Sequence, residues 1–135
     1  MSMSGPLTFK PTLTVAINGI SYLVDSTRGT ATAPHATELG PYRGRFQGGR
    51  LEGWVKTGDQ AVTIAFEIYI DGGWATCTSA PNSGSYAIPA STDDYEFRWA
   101  PPLGSEFRCK LTNGATGPSD LDVGIGWNPQ RTSGV

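Results

Sequence analysis

The chain is poor in the side chains that most often carry out chemistry in enzymes. Its 135 residues include one histidine and two cysteines, and only 16% of them are charged, against about 25% in an average globular domain. The single histidine, His35, lies between Pro34 and Ala36, and no serine lies in a nucleophile-elbow motif. No GxxxxGK[ST] phosphate loop occurs. These absences exclude the common hydrolase and nucleotide-hydrolase patterns and predict a protein without catalytic residues.

Metal and cofactor sites are not indicated either. Cys77 and Cys109 are too few for a disulfide scaffold or a cysteine-based zinc site. They leave two alternatives open, a late disulfide across the core or two buried free thiols. The aspartates at 93–94 and 120–122 fall short of the six or more oxygen ligands that calcium takes. We therefore expect no metal and no cofactor.

Carboxylates are present but are not arranged as a recognisable acid–base pair. A glycosidase requires two facing carboxylates, and nothing in the spacing of Glu52, Glu67, Asp93 and Asp94 selects two of them. A glycosidase-like enzyme is therefore the weakest of the functional hypotheses.

The charge that is present is unevenly distributed. The first 50 residues carry five basic and two acidic side chains, whereas residues 51–135 carry five basic and ten acidic ones. A basic front and an acidic body can attract each other between subunits, which is consistent with the homo-oligomer that we expect, and chance scatter in a small protein is the alternative explanation of the split. A pI near 5.2 argues against nucleic acid as a partner. No apolar run approaches the roughly 18 residues of a membrane span and no signal-peptide order is visible, which predicts synthesis in a cytoplasm and no membrane partner.

The clearest feature that is present is a strict alternation from Val62 to Ile70. Val62, Ile64, Phe66, Ile68 and Ile70 occupy every second position, which predicts a β-strand with one buried face. Asp71-Gly72-Gly73 follows as a tight turn, and residues 74–78 return as a partner strand. This hairpin is expected to be the centre of the fold.

Further alternations predict a chain made of strands. Asn18-Gly19 between two apolar runs predicts a first hairpin. Residues 95–99 and 107–111 predict another, with Cys109 pointing into the core. Strands are also predicted at 51–56, 86–88 and 121–127. The predicted fold class is all-β: a single β-sandwich, jelly-roll-like, of about eight strands. We divide the chain into an N-terminal arm (1–11), the sandwich domain (12–128, including a long loop 25–50) and a C-terminal tail (129–135).

The long loop 25–50 and one turn supply the candidate binding residues. The second half of the loop mixes arginines, aromatic residues and glycines, a composition typical of protein contact surfaces. Trp74 follows the Asp-Gly-Gly turn, and with Trp54 it also suits stacking on a sugar ring. The predicted partner-binding residues are Tyr42, Arg43, Arg45, Phe46, Arg50 and Trp74.

One known group of proteins shares these patterns. The stretches VTIAFEIYIDGGWATCT (62–78), DYEFRW (94–99) and EFRCKLTNGATG (106–117) resemble small virion structural proteins of tailed bacteriophages, in which a strand enters a DGG-W turn and a later strand precedes a Gly/Thr-rich turn. The resemblance covers about residues 49–126. Phe107 here takes the place of an expected tyrosine. The resemblance implies a β-sandwich without enzymatic activity that decorates or completes a virion.

From these observations we expect a capsid decoration (cement) subunit located in the virion. Its partners would be the major capsid protein or other virion proteins, contacted through the arm 1–11 and the loop 25–50. The alternative is a glycan- or receptor-binding β-sandwich module that uses Trp54 and Trp74.

Overall fold

The structure is a computed structural model that describes residues 8–26, 45–114 and 116–128. In this part of the chain the regular elements are nine strands and one short 3₁₀ turn. The strands are β1 (Thr8–Val15), β2 (Ile20–Asp25), β3 (Arg50–Thr57), β4 (Val62–Ile70), β5 (Gly73–Thr76), β6 (Ser85–Ile88), β7 (Tyr95–Trp99), β8 (Phe107–Asn113) and β9 (Ser119–Asn128). The predicted all-β class is confirmed. No helix long and apolar enough to cross a membrane occurs among these residues.

The strands form two antiparallel sheets that pack as a jelly roll. Sheet A has the order β1-β9-β3-β7. Sheet B has the order β2-β8-β4-β5, with β6 also pairing with β4. Outside the run β4–β6, the chain changes sheet at every connection, so that strands distant in sequence become neighbours. This alternation is the double Greek key of a jelly roll, as the strand pattern predicts.

Two of the three predicted hairpins are wrong. β1 pairs with β9 and β2 pairs with β8, so Asn18-Gly19 turns the chain from one sheet to the other. Asn18 does adopt the positive φ of a turn, 55°. Its N–H, however, donates to the carbonyl of Gly114 at 2.8 Å, a residue that follows β8. Likewise β7 belongs to sheet A and β8 to sheet B, so their charged side chains lie on opposite outer faces and do not face each other.

The central hairpin β4–β5 is confirmed. Asp71 and Gly72 have φ angles of 52° and 83°, as a type I′ turn requires. Val62, Ile64, Phe66 and Ile68 point between the sheets and are buried. Ile70, the fifth residue of the predicted apolar row, is 48% exposed because β4 ends there, beyond the last residue that β8 pairs.

The core lies between the sheets and is aromatic at its centre. Phe66 from sheet B packs edge-on against Phe97 and Trp99 of sheet A, with ring centroids 5.1 Å apart in each case. Cys77 and Cys109 are both buried and both free, so of the two alternatives the structure has free thiols. Burial raises the pKa of the Cys109 thiol, and the charge of Glu67 adds to this shift.

An excursion between β5 and β6 divides one edge strand into two pieces. Both pieces pair with the same edge of β4, and residues 78–84 leave the sheet between them. The Tyr95 hydroxyl donates to Asn82 Oδ1 at 2.5 Å and so ties the excursion to sheet A. Gly84 ends it with a φ of +100°, where a Cβ would overlap the Thr76 methyl group and lie 2.7 Å from the Cys77 carbonyl oxygen. The loop therefore requires glycine at this position.

The predicted boundaries fall partly outside the described residues. β1 begins at Thr8, so the last residues of the predicted arm 1–11 belong to sheet A. Residues 1–7, most of the predicted loop (27–44) and the tail 129–135 lie outside the described residues.

Candidate functional site

The outer face of sheet B carries a cluster of aromatic and charged side chains. Residues of a strand alternate between faces, and the inward positions of β4 and β8 are taken by the core. Their neighbours in sequence therefore point outward. The cluster consists of Tyr22, Glu67, Tyr69, Trp74, Arg108 and Lys110, and we call it the Trp74 surface.

The strand register brings these residues together from four strands. Tyr69 of β4 stands opposite Trp74 of β5, and Glu67 of β4 stands opposite Arg108 of β8. On the other side of β8, Lys110 stands opposite Tyr22 of β2. Cross-strand neighbours on one face lie within contact distance, so the cluster is a continuous row across the sheet.

Arg108 is the centre of the Trp74 surface. Its guanidinium carbon lies 4.2 Å from the centroid of the Trp74 ring and 5.3 Å from that of the Tyr22 ring. Its Nε donates to Glu67 Oε1 at 2.7 Å. A cation over an aromatic face is attracted by the ring quadrupole, and the planar guanidinium makes this contact while it hydrogen-bonds at its edge.

Glu67 holds two cations at once. Its second oxygen, Oε2, lies 3.2 Å from Lys110 Nζ. The side chains of Glu67, Arg108 and Lys110 are 11%, 17% and 24% exposed, so the three charges form the floor of the surface. Because the acid is shared, the three residues carry one net positive charge.

Exposed apolar groups stand next to this floor at the end of the β4–β5 hairpin. Tyr69 is 43% exposed and Trp74 is partly exposed, whereas the exposed Ile70 points to the opposite face of β4. The Tyr69 and Trp74 rings meet edge to face with centroids 5.4 Å apart. Trp74 is thus held by Tyr69 and Arg108 and presents a fixed, partly apolar surface to solvent.

The structure disperses the predicted binding residues. Trp74 lies on the outer face of sheet B. Arg45 is exposed near the β7–β8 connection, where its Nη1 donates to the Gly104 carbonyl at 2.9 Å. Arg50 lies in sheet A, with its Nε 2.6 Å from Glu52 Oε2. Tyr42 and Arg43 lie outside the described residues.

Phe46, predicted as an exposed anchor for a partner, is instead part of the core. It is 5% exposed, and its ring packs edge-on against Phe107 with centroids 5.5 Å apart. Its backbone N–H donates to Ser105 and its carbonyl accepts from Gly104, each at 2.8 Å. These bonds dock the segment on the β7–β8 connection, so Phe46 closes the end of the sandwich.

Trp54 and Trp74 do not form a single site. Trp54 points to the outer face of sheet A, where its indole lies over Gly124 of β9. A Cβ at Gly124 would overlap Trp54 Nε1 and lie 2.7 Å and 3.1 Å from Cε2 and Cζ2. The absence of a side chain at Gly124 therefore allows the indole to lie flat. The two tryptophans face away from each other across the sandwich.

Sequence reasoning missed Tyr22, Tyr69 and Arg108. The sequence of β4 and β5 did contain a signal for Tyr69. Glu67 and Tyr69 alternate with the buried residues of β4 and so point outward, and Trp74 stands opposite Tyr69 across the hairpin. Arg108 and Tyr22 could not be found from alternation alone. Their proximity to Trp74 depends on the pairing of β8 with β4 and β2, which the false β7–β8 hairpin concealed.

Asp120 and a shallow cavity at one end of the sandwich are two other features that a ligand site could use. Asp120 Oδ1 accepts a hydrogen bond from Thr14 Oγ1 at 2.7 Å, and no group of three or more potential metal ligands occurs among the residues that the structure describes. A shallow cavity of about 250 Å³ lies beside Gln60, Thr63 and Thr112. Gln60 at its rim accepts from Thr116 Oγ1 at 2.7 Å.

Comparisons with known proteins extend the fold assignment. No protein-family model matches the sequence, and no curated protein matches it significantly. Among solved structures, the chain is similar to a Yersinia pseudotuberculosis-derived mitogen (YPM), with a TM-score of 0.54 and 12% identity over 96% of this chain and 92% of that one. It is also similar to PirA, with a TM-score of 0.55 and 16% identity over 90% of this chain and 94% of that one. At such identities the likeness extends to the fold alone.

Proposed function

We propose that this chain is a non-enzymatic binding protein that holds a protein partner through the Trp74 surface. The observation that carries the proposal is the fixed and partly exposed Tyr69–Trp74–Arg108 cluster. Tryptophan, tyrosine and arginine dominate the residues that contribute most to protein–protein affinity. Because Trp74 is already held in place, little side-chain freedom is lost when a partner binds.

The exposed groups favour a protein as the partner. Tyr69 and Trp74 contribute mainly apolar ring surface, and Glu67 offsets one of the two positive charges of the floor. A partner that fits would supply an apolar side chain against the Tyr69 and Trp74 rings and a hydrogen-bond acceptor near Arg108. Exposed apolar clusters rimmed by polar groups are typical of such interfaces.

The more specific role that we propose is decoration of a bacteriophage head. The support for it is the sequence resemblance to small virion proteins, together with a β-sandwich whose outer face carries this cluster. The partner would be the major capsid protein, and the chain would stabilise the shell by bridging its subunits.

The test is to add purified protein to phage heads that lack it. We expect co-sedimentation that saturates at a fixed number of copies per head, and heads that release DNA at a higher temperature than untreated heads. Absence of saturable binding, or binding without any change in heat resistance, would contradict the decoration role.

Glycan binding is the second candidate, because aromatic rings next to Glu67, Arg108 and Lys110 on a flat sheet face also suit a sugar. It is tested by the change in tryptophan fluorescence on titration with glycans. A saturable change that is lost in Trp74→Ala but kept in Trp54→Phe would favour this candidate over a capsid partner.

A further inference from the structure

β7 forms one of the two edges of sheet A among the described strands, and the outward direction of its backbone groups can be assigned. β7 pairs with β3 and with no other described strand. The Thr57 N–H donates toward the β7 side, to the carbonyl of Thr92 at 3.0 Å. Backbone groups alternate in direction along a strand, so the odd-numbered residues of β3 face β7.

This alternation determines which residues of β7 direct their backbone N–H and C=O groups away from β3, toward a further strand. Gly53 of β3 stands opposite Phe97, so the N–H and C=O groups of Phe97 are directed at β3. Those of Glu96 and Arg98 are therefore directed away from the sandwich. An edge of unpaired backbone groups is a template for another strand.

Glu96 and Arg98 also carry exposed side chains of opposite charge. The Arg98 side chain is 73% exposed, and its Nε is 4.0 Å from Glu52 Oε2. Glu52 is itself held by Arg50 at 2.6 Å. Glu96 is exposed and forms no ion pair with any residue in the described ranges. Both charges are thus available to a partner.

We propose that β7 is a homodimer interface in which two copies pair β7 with β7, antiparallel about a twofold axis at Phe97. In that register Glu96 of each copy stands opposite the partner's Arg98. Because the backbone groups of both residues point outward, each opposed pair closes two N–H···O bonds. The side chains of the same pair form an ion pair on the outer face, and the two four-stranded sheets A become one continuous sheet.

The occupant is a second copy because the edge is self-complementary. A twofold interface requires that a surface match itself, and the order Glu96-Phe97-Arg98 places unlike charges opposite each other only in this antiparallel arrangement. The interface lies in sheet A, whereas the Trp74 surface lies on the outer face of sheet B. Dimerisation and partner binding can therefore fail separately.

The experiment is sedimentation equilibrium of the full chain and four charge variants. Glu96→Arg and Arg98→Glu each place like charges opposite one another twice, and each is expected to raise the dimer dissociation constant at least about tenfold. The double variant Glu96→Arg/Arg98→Glu restores unlike pairs and should dimerise again. Asp59→Lys, in the exposed turn after β3, is the matched charge-reversal control and should dimerise like the unaltered chain.

Rescue in the double variant is the outcome that a general charge effect would not produce. An unaltered chain that stays monomeric across the concentration range overturns the proposal. Dimerisation that is insensitive to both single reversals also overturns it, because the interface then lies elsewhere. Weakening in both singles without recovery in the double overturns the twofold register.

Discussion

Glu67→Gln tests the charged floor of the Trp74 surface. The substitution keeps the shape of the side chain but removes the charge that Arg108 Nε meets at 2.7 Å and Lys110 Nζ at 3.2 Å. The two cations then lie side by side, 17% and 24% exposed, without a shared acid. Breaking a fully buried pair costs about 3–5 kcal/mol. Because these cations keep some solvent contact, we expect a loss of about 2–3 kcal/mol in the free energy of unfolding.

The outer face of sheet A offers a matched control. Glu52 also lies near two arginines, Arg50 at 2.6 Å and Arg98 at 4.0 Å, but those side chains are 34% and 73% exposed. Solvent screens such pairs, so Glu52→Gln should cost less than about 1 kcal/mol. Urea unfolding followed by far-ultraviolet circular dichroism measures both losses. Equal losses in the two variants, or a cost below about 0.5 kcal/mol for Glu67→Gln, would refute the assignment of the Glu67 cluster as a partly desolvated network.

Three further predictions concern the excursion loop, one phenol and the thiols. Gly84→Ala should destabilise the fold by more than Gly104→Ala. At both positions alanine would have to adopt a positive φ, at a cost of about 1–3 kcal/mol, but of the two only Gly84 also lacks space for a Cβ. Thermal melts of the two variants measure the difference. Burial raises the pKa of Tyr95 from 10.0 to about 12, and the Cys109 thiol and the Tyr86 phenol add to the shift. Its contribution to stability is therefore complete below pH 10.0 and lost as the pH rises to about 12, a decline that Tyr95→Phe should lack in alkaline unfolding curves. Cys77 and Cys109 are buried and free, so Ellman's reagent should react with neither in the native protein and with both in urea; rapid labelling of the native protein would contradict their burial.

The fold could be predicted from the sequence wherever local patterns determine it. The alternation from Val62 to Ile68 determines a strand and its buried face. Asp71-Gly72 determines the tight turn that joins this strand to the next one. A jelly roll followed from many short strands without a helical period. These features depend on residues close in sequence, which act through side-chain parity and backbone φ preference.

Strand pairing could not be predicted in the same way. Asn18-Gly19 specifies a reversal of direction, but whether the next strand pairs with the last or crosses to the other sheet depends on distant strands. Asn113 of β8 makes one such distant contact: its Nδ2 donates to the carbonyls of Val15 at 3.0 Å and Ala16 at 3.2 Å. The same long-range pairing hid Arg108 from the predicted site.

Phe46 shows a second limit, that of predicting a binding surface from local composition. Its neighbours are arginines and glycines, which suggested an adaptable contact surface, yet two backbone hydrogen bonds fix it on the β7–β8 connection. The ring is buried because this docking places it against Phe107, a residue distant in sequence, and local sequence does not contain that information.

The affinity of the chain for phage heads, measured for Trp74→Ala against Tyr86→Ala, tests the central claim most directly. Tyr86 is 36% exposed and lies outside the Trp74 surface, stacked on Tyr95 with centroids 5.0 Å apart. Loss of a central tryptophan costs about 2 kcal/mol or more, so the dissociation constant should rise about 30-fold or more in Trp74→Ala and stay near that of the unaltered chain in Tyr86→Ala. Equal affinities of the unaltered chain and a folded Trp74→Ala variant would contradict the proposal that the Trp74 surface holds the partner.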